Sequence, residues 1–178
     1  MGIAYHLLIG LTSAGNGKAA SMTHDPSHDF DFHFGKWRAH HRRLKERLAN
    51  SHEWIEFDGV ATAGPILGGN GNMDDNLFHA PNGHYRGFTV RSFNPETGTW
   101  AIWWLDERWP HTLDTPMIGS FKDGVGTFLA DETLNGKPIK VRFLWLDITP
   151  TSHRWEQAFS ADGGATWETN WTTVFTKG

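Results

Sequence analysis

The stretch YRGFTVRSFNPETGTWAIWWLD, residues 85–106, indicates how this chain folds. Two strand-like runs, residues 85–93 and 99–106, flank the sequence Asn-Pro-Glu-Thr-Gly at residues 94–98, and both Asn and Gly tolerate the positive φ angles of tight turns. Aromatic and polar side chains alternate along the runs with the two-residue period of a β-strand. The stretch therefore predicts an antiparallel β-hairpin whose second strand is rich in tryptophan.

The same pattern continues on both sides of this hairpin. Asp123-Gly124 and Asn135-Gly136 have the composition of two-residue hairpin turns. About nine or ten strands joined by short turns form a meander, and a long meander closes on itself to remove its edges. We therefore expect an all-β fold, a single antiparallel up-and-down β-barrel. The further strand-like runs are residues 52–62, 71–79, 117–121, 125–133, 137–148, 153–160 and 166–176.

The composition restricts the class of protein. A chain of 178 residues is long enough for one domain with a real core. The net charge of −4 favours neither nucleic acid nor an acidic membrane surface as a partner. No apolar run approaches the ~20 residues of a membrane-spanning helix. The absence of cysteine excludes disulfides, thiolate metal sites and a cysteine nucleophile, and it fits a reducing compartment, so we expect a cytoplasmic protein.

The first residues differ from the rest of the chain. Residues 1–21 combine a short apolar patch with small residues, which is a faint likeness to a secretory signal. The basic region that opens such signals is lacking, so we favour a flexible leader over a cleaved signal. We expect this leader to span residues 1–27 and the barrel domain to span residues 28–176.

Spacing alone does not decide the structure of residues 36–47. Trp37, His41, Leu44 and Leu48 form a helical stripe at intervals of three and four residues. A strand over the same residues places Trp37 and His41 on one face. The spacing is therefore compatible with both a helix and a strand over residues 36–47.

Gly35-Lys36-Trp37 resembles the Gly-x-Trp motif that opens the calycins, the lipocalin and fatty-acid-binding barrels. The ordered series FHFGKW, YRGFTVRSFNPETGTWAIWWLD, GSFKDGVGTF and RWEQAFSADGGATWETNW is similar to an uncharacterised bacterial family of calycin-like proteins (DUF1579-like). The resemblance covers residues 28–176. It implies a barrel with one open end and a strand over residues 36–47, and it carries no established reaction with it.

Three further features have both a functional and a structural interpretation. SADGGATW, residues 160–167, fits the Asp-box of sialidase propellers, but a propeller repeats the motif in every blade, so we interpret this single copy as a turn. HHRRLKER, residues 40–47, is basic, and we favour a solvated strand face over nucleic-acid binding. Eleven histidines suggest haem, but Arg38 and Ala39 interrupt the glycine-rich opening of nitrobindin-type haem barrels. We therefore expect no cofactor.

The segment HDFDFHFG, residues 28–35, can be interpreted in two ways. Asp29, Asp31 and His33 offer oxygen and imidazole ligands for a divalent metal, but ligands spaced by single residues on one strand rarely converge. We therefore expect no metal. We favour a short N-terminal segment whose phenylalanines plug the bottom of the barrel, namely Phe30, Phe32 and Phe34.

The interior of a ten-stranded barrel holds one small ligand, and indoles with a few polar groups form a typical pocket wall. We therefore expect a small hydrophobic or aromatic molecule as the partner and leave open whether the protein forms a homodimer. The polar row on residues 71–76 can alternatively face water. The predicted ligand-binding residues are Asn72, Asp74, Trp100, Trp104, Arg142, Trp145, Trp155 and Asn170.

A cofactor-independent enzyme of the same shape is the alternative, an isomerase, cyclase or lyase acting on a lipophilic molecule. A carboxylate buried among apolar groups has a raised pKa, so Glu156 or Asp106 can serve as general acid or base. Arg91 or Arg142 can then stabilise an oxyanion. For Glu156 we favour a structural ion pair. These assignments depend on strand register, because a shift of one residue exchanges the two faces.

Overall fold

The structure is a computed structural model that describes residues 24–178. Over that range ten strands form one closed barrel, each pairing antiparallel with its neighbours in the chain, and β1 pairs with β10. This confirms the predicted all-β, up-and-down barrel. Residues 1–23 of the expected leader lie outside the described residues. The strands are β1 Gly35–Leu44, β2 Trp54–Ile66, β3 Gly71–Ala80, β4 Gly83–Asn94, β5 Thr99–Asp106, β6 Met117–Lys122, β7 Val125–Leu134, β8 Lys137–Leu146, β9 Ser152–Ser160 and β10 Glu168–Lys177.

The segment with ambiguous spacing is strand β1. Its inward side chains, Trp37, Ala39 and His41, are buried and alternate with exposed ones. β1 pairs along most of its length with β2 on one side and β10 on the other. Two complete ladders satisfy its backbone hydrogen bonds, so the helical stripe over residues 36–47 was the wrong interpretation.

The hairpin turns follow the residues that predicted them. Asp123 and Gly124 have φ angles of 52° and 78°, and Asn135 and Gly136 have φ angles of 51° and 76°. Two successive positive φ angles define the turn whose twist matches antiparallel strands. These turns connect β6 to β7 and β7 to β8.

The Asp-box motif forms the turn between β9 and β10. The Asp162 carboxylate accepts hydrogen bonds from the Thr166 backbone N–H at 2.9 Å and from the Thr166 hydroxyl at 2.6 Å. The Ser160 hydroxyl accepts a hydrogen bond from the Gly164 N–H at 2.8 Å. The motif therefore acts as a hydrogen-bonded turn, as we interpreted it.

One end of the barrel is closed by the segment that precedes β1. This segment makes two short 3₁₀ turns, Pro26–His28 and Asp31–His33. Phe30 lies between them with 0% of its surface exposed, while Phe32 and Phe34 are half-buried. The rings that pack within 5.7 Å of the Phe30 centroid belong to Trp100, Phe121, Phe128 and Trp145.

The opposite end is open. The connection between β5 and β6, residues 107–116, lies there together with the β1–β2, β3–β4, β7–β8 and β9–β10 connections. β5 and β6 share three residue pairs, all near the closed end, from Trp100 with Gly119 to Ile102 with Met117. The two strands therefore separate towards the open end, and the loop at 107–116 forms part of its rim.

Candidate functional site

A cavity of about 370 Å³ extends from the open end into the barrel. Inward-facing side chains of nearly every strand line it, because alternate residues of each strand point to the barrel axis. Its inner end is polar, its side wall is aromatic and its rim carries charged side chains.

The polar side chains at the inner end form one network around Asp74. Nη2 of Arg91 lies 2.5 Å from Oδ2 of Asp74, and Nε2 of His33 lies 3.3 Å from the same oxygen. The Thr89 hydroxyl donates to Oδ1 at 2.8 Å, and the Asn76 amide donates to it as well. Burial raises the pKa of Asp74, but Arg91 and His33 together lower it further, to below its ordinary range. The carboxylate is therefore a fixed anion at neutral pH.

His33 connects this network to His153. Nδ1 of His33 lies 2.9 Å from Nε2 of His153, and both residues are buried. Burial lowers the pKa of His33 in spite of Asp74 nearby, and burial lowers the pKa of His153 to about 2. Both rings are neutral at pH 7. Since a carboxylate only accepts, the tautomer that suits this contact carries the His33 proton on Nε2, and Nδ1 of His33 then accepts from Nε2 of His153.

The side wall of the cavity is aromatic. Phe78, Trp104, Trp155 and Trp171 line it from β3, β5, β9 and β10. The Trp155 and Trp171 rings meet edge to face with centroids 5.6 Å apart, and the Phe78 centroid lies 5.9 Å from that of Trp104. Such edge contacts hold each ring in place and leave other ring surfaces turned to the cavity.

His41 adds a neutral polar group to the wall. It is 3% exposed, stacks on Phe57 with centroids 4.9 Å apart, and places Nδ1 2.8 Å from the Thr173 hydroxyl. Burial lowers the pKa of His41 to about 3, and the charges of His40 and Arg43 act in the same direction. The ring is therefore uncharged at neutral pH and is available for hydrogen bonds.

Three arginines line the rim: Arg43, Arg47 and Arg108. Arg108 makes a two-pronged ion pair with Asp106, in which Nε lies 2.8 Å from Oδ1 and Nη2 lies 2.6 Å from Oδ2. Its charge is thereby compensated. The acidic residues that also line the rim are Asp114 and Glu132.

The structure brings part of the predicted site together at this cavity. Asn72, Asp74 and Asn76 are all buried, so the polar row faces inward and not into water. Trp145 is 3% exposed and lies at the inner end, where it packs on Phe30. The predicted residues that line the cavity are Asp74, Arg91, Trp104, Trp145 and Trp155.

Three other predicted residues are buried without lining the cavity. Trp100 belongs to the packed closed end. Asn72 lies behind Arg91 and accepts a hydrogen bond of 2.9 Å from its Nη1. Asn170 lies at an irregularity in the β9–β10 pairing and accepts a hydrogen bond of 2.8 Å from Gln157. Their contacts are structural.

The remaining predicted residues do not line the cavity. Glu156 alternates with the inward-facing Trp155, so it lies on the outer face of β9, paired with Arg154. Arg142 is likewise on the outer face of β8, with its guanidinium 4.5 Å from the Trp167 ring centroid. Asp106 is held by Arg108 at the end of β5 and does not line the cavity. Neither Glu156 nor Asp106 is therefore placed to act as a general acid or base inside the cavity.

The lining residues that sequence reasoning overlooked include His33, His41, Arg43 and Arg47. The alternation of β1 was a usable signal for His41 and Arg43, because both share the face of Trp37. For His33 and Arg47 no local signal was available, since both lie outside the regular strands. Their positions depend on how the chain enters β1 and leaves it.

The metal ligands considered in the N-terminal segment do not converge. Asp31 pairs at the surface with His28 at 2.9 Å, whereas His33 is buried inside the barrel. Across residues 24–178, no group of three His, Cys, Asp or Glu side chains is close enough to hold a metal ion. In the same range, no helix has the length and apolar character needed to cross a membrane.

Comparison with known proteins supports the fold. No protein-family model matches the chain, and no curated protein matches its sequence. The barrel is similar to the S-type phycobiliprotein lyase CPES from Guillardia theta, with a TM-score of 0.54 and 12% identity over 84% of this chain and 90% of the lyase. It is also similar to EF1p2_mFAP2b, solved bound to DFHBI, with a TM-score of 0.45 and 12% identity over 86% of this chain and 100% of that one. At 12% identity, the likeness to the lyase shows the fold alone, a calycin-like barrel of ten strands.

Proposed function

We propose that this protein binds one small, largely aromatic or apolar molecule inside its barrel. The observation that carries the proposal is the cavity itself, about 370 Å³ in volume, closed at one end by Phe30 and open at the other. Cavities of roughly 300–1,000 Å³ with mostly apolar walls and a few polar groups are typical of small-molecule sites. The barrel thus has the size and lining of a ligand site.

The lining supports an aromatic ligand over a purely aliphatic one. The indoles of Trp155 and Trp171 meet edge to face on neighbouring strands, and the indole of Trp104 lines the cavity from β5. The three rings offer faces and edges for stacking. His41 on the wall and Thr89 at the inner end have groups that can hydrogen-bond to a polar atom of the ligand. A planar molecule with one polar end fits both features.

The structure gives less support to the enzymatic alternative. That hypothesis needs a carboxylate inside the cavity whose pKa is raised by burial. Among residues 24–178, Asp74 is the deeply buried carboxylate that lines the cavity, and Arg91 and His33 outweigh burial and hold its pKa low. Burial raises the pKa of Asp114, which also lines the cavity, but Asp114 is an exposed residue of the rim and lies away from the inner end. A carboxylate that stays ionised at neutral pH is a poor general acid. We therefore propose binding rather than catalysis.

The test uses the fluorescent probe N-phenyl-1-naphthylamine, an uncharged aromatic molecule. Val141 lines the cavity, and Val141→Trp fills part of it. We expect this substitution to weaken probe binding by about tenfold or more, because a close-packed barrel has little room to adjust. The matched control is Leu144→Trp on the outer face of the same strand, which should bind the probe normally.

The outcomes are distinguishable. Saturable binding of one probe per chain that Val141→Trp weakens and Leu144→Trp preserves supports a cavity ligand. Equal binding by both variants, each shown to be folded by circular dichroism, would refute it. A metabolite extract then tests the alternative, because a compound consumed far beyond the molar amount of protein reveals an enzyme.

We further propose membership of the DUF1579-like bacterial family, a cytoplasmic location and a barrel domain that begins near residue 28. The first rests on the motif series around Gly35-Lys36-Trp37, and the second on the absence of cysteine. For the third, the buried segment from Phe30 onward supports a domain start close to that position. Size-exclusion chromatography with light scattering tests whether the barrel forms a homodimer.

A further inference from the structure

Two arginines on one side of the rim have no carboxylate partner. Arg43 is on β1 and Arg47 is in the connection that follows, and both line the cavity. Among the described residues, no Asp or Glu oxygen lies within 4.0 Å of either guanidinium, whereas Arg91 and Arg108 each have such a partner. Half-buried cations without counterions are uncommon, because removing a charge from water is unfavourable unless the charge is paired.

Aromatic rings position these two guanidiniums. The Arg43 guanidinium lies 5.1 Å from the Trp171 ring centroid and 5.5 Å from that of Phe57, and the Arg47 guanidinium lies 5.7 Å from that of Phe159. A guanidinium stacked on a ring keeps its N–H edges free for hydrogen bonds. Two fixed sets of donors therefore face the rim of an aromatic cavity.

The two cations also repel one another. Burial lowers the pKa of Arg47, and the charge of Arg43 lowers it further, while Tyr85 and Glu168 act in the opposite direction. The Glu168 carboxylate offsets part of the Arg47 charge but makes no ion pair with it within 4.0 Å, and one of its oxygens accepts a hydrogen bond of 2.7 Å from the Leu48 N–H. An anion between the arginines would relieve this repulsion.

The opposite side of the rim is acidic. Asp114 belongs to the β5–β6 connection and Glu132 to β7, and these elements lie across the barrel from β1. Burial raises the pKa of Asp114, and the charges of Glu132 and Asp106 raise it further. The rim thus has a cationic side and an anionic side, and this arrangement orients a charged ligand.

We propose that the natural ligand is an aromatic oxyanion whose acidic group is held by Arg43 and Arg47 at the rim while its rings enter the cavity. This inference rests on the proposed binding function and adds the charge of the ligand and its orientation. Carboxylate, sulfonate and phosphate groups share the required chemistry, because each presents two oxygens to the planar donor edge of an arginine. The charged end remains near water, and the rings contact Trp104, Trp155 and Trp171.

The experiment compares two probes with the same aromatic framework. 1-Anilinonaphthalene-8-sulfonate is N-phenyl-1-naphthylamine with an added sulfonate group, so the difference in affinity isolates the anion. We expect the sulfonate to bind more tightly and to be displaced by the uncharged probe. Arg43→Gln and Arg47→Gln should each weaken sulfonate binding by about tenfold, the usual effect of losing one charged hydrogen bond, and should weaken binding of the uncharged probe far less.

The matched control is Arg42→Gln, which removes the same charge one residue away. Arg42 lies on the outer face of β1, where Nε is 2.9 Å from Glu56, so this variant should bind both probes normally. Salt titration of the unsubstituted protein provides a second measurement that requires no variant. Sodium chloride should weaken sulfonate binding and leave binding of the uncharged probe nearly constant.

Each outcome bears on a different proposal. If the uncharged probe binds and the sulfonate binds no more tightly, or if all three arginine variants behave alike, the oxyanion proposal fails and the binding function stands. If neither probe enters the cavity of the unsubstituted protein, both proposals fail. Selective loss of sulfonate binding in Arg43→Gln and Arg47→Gln supports the oxyanion site.

Discussion

Asp74 and Arg91 form an ion pair inside the barrel, with Arg91 Nη2 2.5 Å from Asp74 Oδ2 and both side chains 3% exposed. Register explains their contact: Asn72 pairs with Arg91 and Asp74 pairs with Thr89 across β3 and β4, so Asp74 and Arg91 are diagonal neighbours on one face. The Arg91 guanidinium also lies 4.9 Å from the Phe30 ring centroid and 5.3 Å from that of Trp145. The pair thus joins the polar end of the cavity to the segment that closes the barrel.

Asp74→Asn should destabilise the protein strongly, because it leaves the Arg91 charge buried without a counterion. Breaking a buried pair in this way costs about 3–5 kcal/mol. The free energy of unfolding is measured by urea denaturation. Asp75→Asn is the control, since it breaks the exposed pair with Arg86 on the outer face of the same strand and should cost less than ~1 kcal/mol. Equal losses in the two variants would contradict a structural role for the buried pair.

The buried histidines make stability depend on pH. His41 has an ordinary pKa of 6.5 that burial lowers to about 3 in the folded protein. Below pH 6.5 the unfolded chain therefore binds a proton that the folded chain does not, so stability falls as the pH falls towards 3. Each such histidine contributes a slope of about 1.4 kcal/mol per pH unit.

His41→Gln tests this contribution. Glutamine does not titrate and can still hydrogen-bond to Thr173, which His41 contacts at 2.8 Å. The free energy of unfolding between pH 6 and pH 4, measured by denaturant titration, should fall less steeply in the variant, by about 1.4 kcal/mol per pH unit. The pH dependence of stability that remains in the variant is expected to come from His33 and His153, whose pKa values burial also lowers. An unchanged slope would show that His41 is protonated in the folded state.

The sequence predicted the barrel because its signals are local. Asp123-Gly124 and Asn135-Gly136 specify turns by their backbone preferences, and the alternating runs between turns specify strands. β1 is the exception. Its helical stripe and its strand alternation are both present, and the pairing with β2 and β10 that decides between them joins residues far apart in the chain.

The site was predicted less completely, because it depends on which face of each strand points inward. The four tryptophans of residues 99–109 show this: Trp100 fills the closed end, Trp104 lines the cavity, Trp103 is on the outer face and Trp109 is 56% exposed. One short segment thus supplies core, cavity wall and surface. Strand alternation puts Glu156 on the same face as Arg154. Which of the two faces of β9 points outward is decided only when the strands pair into a closed barrel.

Gly87→Ala tests how closely the aromatic wall is packed. A β-carbon at Gly87 would lie 2.0 Å from the Trp104 ring, so the ring must move from its position on the cavity wall. We expect weaker binding of N-phenyl-1-naphthylamine, an altered near-ultraviolet circular dichroism spectrum and a loss of about 1–3 kcal/mol in stability. Gly64→Ala on β2 is the control, since nothing lies within 4 Å of its added β-carbon. A Gly87→Ala protein with normal binding and spectrum would show that Trp104 is free to move.

Phe30→Ala tests whether the N-terminal segment is part of the barrel core. Phe30 is fully buried and meets Trp100, Phe121 and Trp145 edge to face with centroids 5.0–5.6 Å apart. Truncating such a ring leaves a cavity and costs about 3–5 kcal/mol. The expected result is a lower urea midpoint together with a red shift of tryptophan emission, because water reaches the indoles at the closed end.

The control for this substitution is Phe88→Ala on the outer face of β4, where the ring is 39% exposed. Removing a ring that is already partly hydrated should cost only about 1 kcal/mol and leave the emission maximum unchanged. The comparison separates closure of the barrel from a general effect of losing an aromatic ring. If Phe30→Ala is no more destabilising than Phe88→Ala, the segment before β1 only covers the barrel and the core begins at Trp37.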